Sequence, residues 1–350
     1  MMSGELIDDS VIIVDQKEGS QLFNKGNFGY PKSRGGLELD LVEATFLLEC
    51  ERLEVFYQGS PMHFDELFNY ASSVQEGFDV IYLVYRDIRQ RGFIVKVETG
   101  DFDLSVFPRG TTMSSARPIY MVRAVSERTA LDITKFSAEI SQTENRGKQL
   151  LYGVVDEEGD LTYYIMSTKD PQGFVKGKAL DVPATGRLIS DRVFVFDKEE
   201  SKKLRDSAFY GKTLNGVLQL SLIESCYLIS TGDLRVISSE RNIISCESLV
   251  DFGRKTQDEF DLRLKAFDDL RERGLVVKTG FKYGTHFRVY EKSPDDCHAR
   301  YLVHAVPASK VTMWPEISRT VRLSGGVKKE ILFCRISDSV EYLEFKWFRP

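Results

Sequence analysis

Cysteine, histidine and long apolar runs are all scarce in this sequence. The five cysteines, Cys50, Cys226, Cys246, Cys297 and Cys334, are odd in number and scattered, and no two form a C-x-x-C pair. That pattern excludes a disulfide framework and a structural zinc site. No apolar run approaches the roughly 18 residues that span a bilayer, so no membrane partner is expected. The start, Met1 to Asp15, is acidic and lacks the basic-then-apolar order of a secretory signal. The expected location is cytoplasmic. Positive charge is short overall, with a formal net charge of -6. Taken alone, that disfavours a nucleic-acid partner, because phosphates repel an acidic surface. The local balance differs. Between Lys278 and Glu330 ten Lys and Arg face five Asp and Glu, a net of +5. One basic face on an acidic body is what a local RNA site requires.

What the sequence does contain is a duplication. Arg89-Gln90-Arg91-Gly92-Phe93-Ile94-Val95-Lys96 returns as Arg271-Glu272-Arg273-Gly274-Leu275-Val276-Val277-Lys278, with five of eight positions identical. At nearly the same shift, Val14-Asp15 matches Phe196-Asp197, Gly29 matches Gly211, Glu43 matches Glu224, and Tyr120-Met121-Val122 matches Tyr301-Leu302-Val303. The 350 residues therefore read as one two-part unit written twice. The expected fold is α/β, of mixed α+β type. Each copy has a small α/β N-terminal subdomain (1–72 and 189–254) and a mixed-sheet subdomain flanked by helices (73–168 and 255–350). A Gly-, Pro- and Lys-rich linker, 169–188, joins the copies.

Apolar segments 37–48 and 218–228 are helix candidates in the N-terminal parts. Phe78, Tyr82, Tyr85 and Ile88, like Phe260, Leu264, Phe267 and Leu270, recur at the spacing of one helical stripe. Gly92 and Gly274 then end those helices. Strands are expected at 287–290, 301–306, 331–336 and 340–346. Between them Pro315 opens a helix that Gly325-Gly326 closes.

Three of the four histidines, His286, His298 and His304, lie close together in copy two. They do not follow a zinc spacing, and no metal or other cofactor is expected. Cutting RNA without a metal needs a base for the 2'-OH, an acid for the departing 5' oxygen and a cation for the charge that builds on phosphorus. Tyr290, His298 and Lys329 suit those jobs in type. For tyrosine to serve as base, nearby positive charge must lower its pKa.

Gly280-Phe281-Lys282-Tyr283-Gly284-Thr285-His286-Phe287-Arg288-Val289-Tyr290, His298-Ala299-Arg300-Tyr301-Leu302-Val303, Val321-Arg322 and Gly326-Val327-Lys328-Lys329 stand in order. This series resembles the catalytic domain of archaeal tRNA-splicing endonucleases, and the duplicated layout is similar to the homodimeric form of that family. The resemblance implies that Tyr290 is the general base, His298 the general acid and Lys329 the transition-state stabiliser. The implied substrate is a precursor tRNA with a bulge–helix–bulge, and the implied products end in 2',3'-cyclic phosphate and 5'-hydroxyl. It also implies that Arg322 stacks on a bulge base, with Lys346 or Arg349 as a second stacking cation. In copy one, Phe107 and Arg117 stand opposite Tyr290 and His298, so only copy two is expected to cut. The acidic turn of copy one, with Asp156, Glu157, Glu158 and Asp160, is then expected at a homodimer interface, inserted into a basic cleft of a second copy. Two other readings stay open at this point: a non-catalytic RNA-binding or structural subunit of a splicing complex, and a metal-dependent nuclease using Asp295-Asp296.

Overall fold

The computed structural model describes residues 2–33, 35–177 and 179–350; Met1, Arg34 and, from the expected linker, Lys178 lie outside the described residues. The chain forms two compact units. One comprises Met1–Ser167, Val311–Ile317 and Lys346–Pro350; the other comprises Thr168–Lys310 and Ser318–Phe345. These units depart from the expected copy boundary. Strand Val311–Met313 pairs antiparallel with Ala130–Asp132, Trp314 stacks on Tyr164, and Phe348 meets Tyr120. Those contacts draw two short pieces of copy two into the first unit.

Each unit contains a six-stranded sheet with the same strand order. In the first it runs Tyr30–Pro31, Leu37–Asp40, Ser10–Ile13, Met2–Ile7, Leu53–Tyr57, Ser60–Met62. In the second it runs Lys212–Leu214, Val217–Ser221, Arg192–Val195, Ala184–Ile189, Leu234–Ile237, Ile243–Ile244. Strand Ala184–Ile189 corrects the linker reading: the last residues of 169–188 are a central strand of this sheet.

The helix candidates 37–48 and 218–228 also need correction, because each is a strand followed by a helix. Leu37 and Leu39, like Leu218 and Leu220, alternate buried with half-exposed neighbours, the period of a strand. The period then changes at a cap. The Asp40 carboxylate accepts the Val42 N–H at 2.7 Å and opens Leu41–Glu49. Ser221 and Glu224 exchange bonds in a capping box that opens Leu222–Ser230.

The larger sheet halves also repeat. In the second unit Val276–Thr279, Phe287–Tyr290, Tyr301–Pro307, Glu330–Ile336 and the start of Val340–Phe348 lie side by side, with only Tyr301–Pro307 and Glu330–Ile336 parallel. Helix Phe260–Glu272 packs on this half with Phe260, Phe267 and Leu270 buried. Helix Trp314–Gly326 follows the third strand, as the Pro and Gly signals require. The first unit matches with Ile94–Val97, Leu104–Phe107, Tyr120–Ser126, Gln149–Val155 and Leu161–Lys169 under helix Phe78–Gln90.

The repeated residues are mostly structural. Asp15 and Asp197 each cap a helix by accepting two backbone N–H groups. Gly29 and Gly211 have φ of 65° and 59°, and an added Cβ would lie 2.5 and 2.4 Å from a backbone oxygen. Each offers its N–H to the matched glutamate, Glu43 or Glu224, and its carbonyl to the matched lysine, Lys96 or Lys278. The same three residues thus tie each small sheet to each large one. The first latch is tighter: Lys96 lies 2.5 Å from Glu43 with both buried, whereas Lys278 lies 3.7 Å from Glu224 and is partly exposed. Lys96→Ala leaves the Glu43 charge buried without its cation. It should lower stability by about 3–5 kcal/mol, and Lys278→Ala should lower it by less. Urea denaturation of both variants checks this; equal losses would contradict it.

Candidate active site

Strand pleat decides which side chains of Phe287–Tyr290 reach the core. Phe287 and Val289 point into it, where Phe287 lies against Phe267. Arg288 and Tyr290 take the opposite face. Tyr290 is opposite Val276 in register and packs with Val276 and Ala299, flanked by Phe209 and Cys297. In the other unit Phe107 is opposite Ile94 in the same register. The backbone therefore places Phe107 where Tyr290 stands, without a hydroxyl.

After Tyr290 the chain leaves the sheet through a turn and returns at Arg300, whose N–H bonds to Val289 O at 3.0 Å. The N–H groups of Asp296 and Cys297 both donate to Ser293 O, and Arg205 holds Asp295 at 3.3 Å. This turn presents His298 to solvent beside the buried Ala299. Lys329 reaches the same place from the end of helix Trp314–Gly326. Its Nζ donates to the Ala299 carbonyl at 2.9 Å, and the Tyr283 ring lies 5.9 Å from it. Lys328 has a positive φ of 53° and is exposed. Residue Ala299 thus links the three expected catalytic positions: its carbonyl accepts from Lys329, its side chain packs in one cluster with Tyr290, and His298 precedes it in the chain. In the first unit, Arg117 is exposed and Lys148 donates to Met121 Sδ at 3.5 Å.

The electrostatics of Tyr290 depart from expectation. Burial raises its hydroxyl pKa above the ordinary value, and Arg288 offsets this only in part. Tyr290 therefore carries its proton at rest. His286 is half-buried where His298 is exposed. It is stacked on His304 with ring centroids 4.3 Å apart, and its Nδ1 accepts the Ala305 N–H at 3.1 Å. Burial, helped by His304 and Arg263, pushes its pKa down to about 3, despite Glu259 at 3.4 Å. His286 is neutral near pH 7, and the proton it keeps on Nε2 is too weakly acidic to protonate a leaving group.

Arg322 is exposed on helix Trp314–Gly326, and it forms no ion pair among the described residues. Lys346 and Arg349 are exposed in the closing segment that belongs to the first unit. The basic face is smaller than its residue count, because Arg300 is held by Glu291 and Glu330 and Lys278 by Glu224. Among the described residues no group of three His, Cys, Asp or Glu could hold a metal ion.

A second feature of the same unit had no sequence signal. A cleft of about 640 Å³ is lined by Arg192, Lys212, Arg263, Lys278, His286 and Arg288, against the acids Asp191 and Glu224. The Nε groups of Arg263 and Arg288 are buried there with no acceptor among the described residues. The acidic turn lies in the first unit between strands Gln149–Val155 and Leu161–Lys169. It is closed by Asp156 N–H to Asp160 O at 3.0 Å, and Asp156, Glu157, Glu158 and Asp160 are all exposed. Glu157 contacts Arg128.

Comparison with known proteins agrees with this duplication. Residues 78–163 and 260–342 each match the tRNA intron endonuclease catalytic C-terminal domain, and residues 2–68 and 184–250 each match the N-terminal domain of that family. The chain is 36% identical to the tRNA-splicing endonuclease of Methanococcoides burtonii, over 98% of each chain. It is 37% identical to that of Methanosarcina acetivorans, over 95% of this chain and 96% of the relative. It is 33% identical to that of Halobacterium salinarum, over 97% of this chain and 96% of the relative.

Proposed function

The chain belongs to the tRNA intron endonuclease family, and from that premise we propose that it excises introns from precursor tRNA at bulge–helix–bulge sites with no metal, using the second copy alone. The observation that carries this reading is the Ala299 carbonyl, which holds the Lys329 ammonium beside the Tyr290 packing and next to His298. The substrate 2'-OH loses its proton to the phenolate form of Tyr290, reached after the resting hydroxyl has given its own proton to solvent, and attacks the adjacent phosphorus. The bond from phosphorus to the 5' oxygen breaks, and His298 protonates that oxygen. Lys329 stabilises the added charge on the phosphate oxygens between those events. The products are a 2',3'-cyclic phosphate and a 5'-hydroxyl. His298 suits the acid role because it is solvent-facing, whereas His286 is half-buried and neutral. Arg322, with Lys346 or Arg349, offers a planar or extended cation to splayed bulge bases, the RNA feature that proteins read best. Incubation with an intron-containing precursor tRNA in EDTA tests the reading. Clean excision supports it, EDTA-sensitive cleavage points to a metal nuclease, and no cleavage with or without metal points to a non-catalytic subunit.

The working enzyme is proposed to be a homodimer. The acidic turn at Asp156–Asp160 of one copy enters the basic cleft of the other, which Arg192, Lys212, Arg263 and Arg288 line. Opposite charges fix the register of such a contact. Reversing Asp156, Glu157 and Asp160 to lysine should give monomers in sedimentation, and an intact dimer would contradict the arrangement.

A further inference from the structure

The turn Phe281–Tyr283 carries the most exposed of the described large hydrophobic side chains, Phe281 at 87%. The turn itself is firmly built. Gly280 N–H bonds to His286 O at 3.0 Å, Tyr283 N–H to Gly280 O at 2.7 Å, and Gly284 N–H to Phe281 O at 3.2 Å. Thr285 Oγ1 donates to Phe287 O, and a Cβ on Gly280 would meet that same Oγ1 at 2.4 Å. Burying a phenylalanine is favourable, so a fixed turn that holds one in water calls for an occupant. Three observations say which. Lys282 beside it is exposed, and Tyr283 in the same turn faces the Lys329 ammonium at 5.9 Å. The matching segment of copy one, Glu98-Thr99-Gly100-Asp101-Phe102-Asp103, is acidic instead of basic. Its one aromatic, Phe102, is buried at 2%. At this turn, the exposed aromatic with a flanking cation therefore belongs to the copy that keeps Tyr290 and His298.

We propose that Phe281 is an RNA-contacting residue that stacks on an unpaired nucleobase next to the phosphate being cut, with Lys282 directed to the backbone. Every base has a π-face, and stacking on an aromatic side chain tolerates any of them. Phe281 thus adds affinity without choosing sequence, which suits a substrate read by shape. This inference rests on the RNA-cleaving reading above.

The test uses the full chain and a bulged RNA with 2'-deoxy substitution at the cut sites, which binds without being cut. Phe281→Ala should weaken binding by about 5- to 150-fold and raise KM for a cleavable precursor while leaving kcat nearly unchanged. Phe281→Trp should restore both, and 2-aminopurine at a bulge position should lose its quenching only in the alanine variant. Unchanged binding by Phe281→Ala, in a wild-type background that cleaves, overturns this inference alone. A shift of Phe281→Ala to monomers in sedimentation, with RNA binding lost in step, assigns the ring to a protein interface and also overturns it. A wild-type chain that neither binds nor cuts precursor tRNA overturns the broader reading, and this inference with it.

Discussion

Tyr290→Phe lowers the single-turnover cleavage rate by at least about 100-fold, within the span that one positioned acid or base contributes, and leaves the fold intact. The substitution removes one oxygen and nothing else. The ring can stay packed against Val276 and Ala299, because copy one shows the result: Phe107 sits opposite Ile94 in the same register and is well buried. Stability should therefore hold or rise slightly while the rate collapses. That combination separates a chemical role from a packing role. Near-UV circular dichroism with single-turnover kinetics on a precursor tRNA makes the measurement, and a rate within about threefold of wild type would remove Tyr290 from the mechanism.

His298→Ala lowers the rate by a comparable factor, about 100-fold or more, and largely preserves RNA binding. Its pH profile is more informative than its size. Tyr290 holds its proton at rest, since burial raises its pKa and Arg288 compensates only in part. Catalysis by phenolate then gains as pH rises, while catalysis by a protonated acid loses. With His298 gone only the first remains, so the residual rate should climb about tenfold per pH unit through neutrality. A flat residual profile would mean that Tyr290 is not the base.

The duplication was readable from sequence because the features that repeat are those the backbone requires. Caps at Asp15 and Asp197, positive φ at Gly29 and Gly211, and the lysine–glutamate latch each admit only a few residue types at one place. The strand before each buried helix was not readable, because Leu37 to Leu48 runs apolar through a change of period marked only by Asp40. Strand Ala184–Ile189 was hidden by its own composition. Gly186 looks like a linker residue, yet a Cβ there would lie 2.5 Å from Val193, so the glycine serves sheet packing. At the site, the Tyr290, His298 and Lys329 side chains could be nominated from residue type and resemblance. The Ala299 carbonyl that receives Lys329 could not, because every residue has one. Nor does composition tell a half-buried histidine from an exposed one; His286, just before strand Phe287–Tyr290, is held by the Ala305 N–H, while His298 follows the turn at Ser293. Tyr283 lies inside the motif without a signal of its own, since only folding brings its ring near Lys329.

The central claim is that RNA is cut by its own 2'-hydroxyl under the control of copy two, and end-group analysis of the products tests it most directly. In EDTA, the upstream fragment should end in a 2',3'-cyclic phosphate that resists phosphatase until acid opens it. The downstream fragment should carry a 5'-hydroxyl that polynucleotide kinase labels directly. A 3'-hydroxyl on the upstream fragment together with a 5'-phosphate downstream would contradict it.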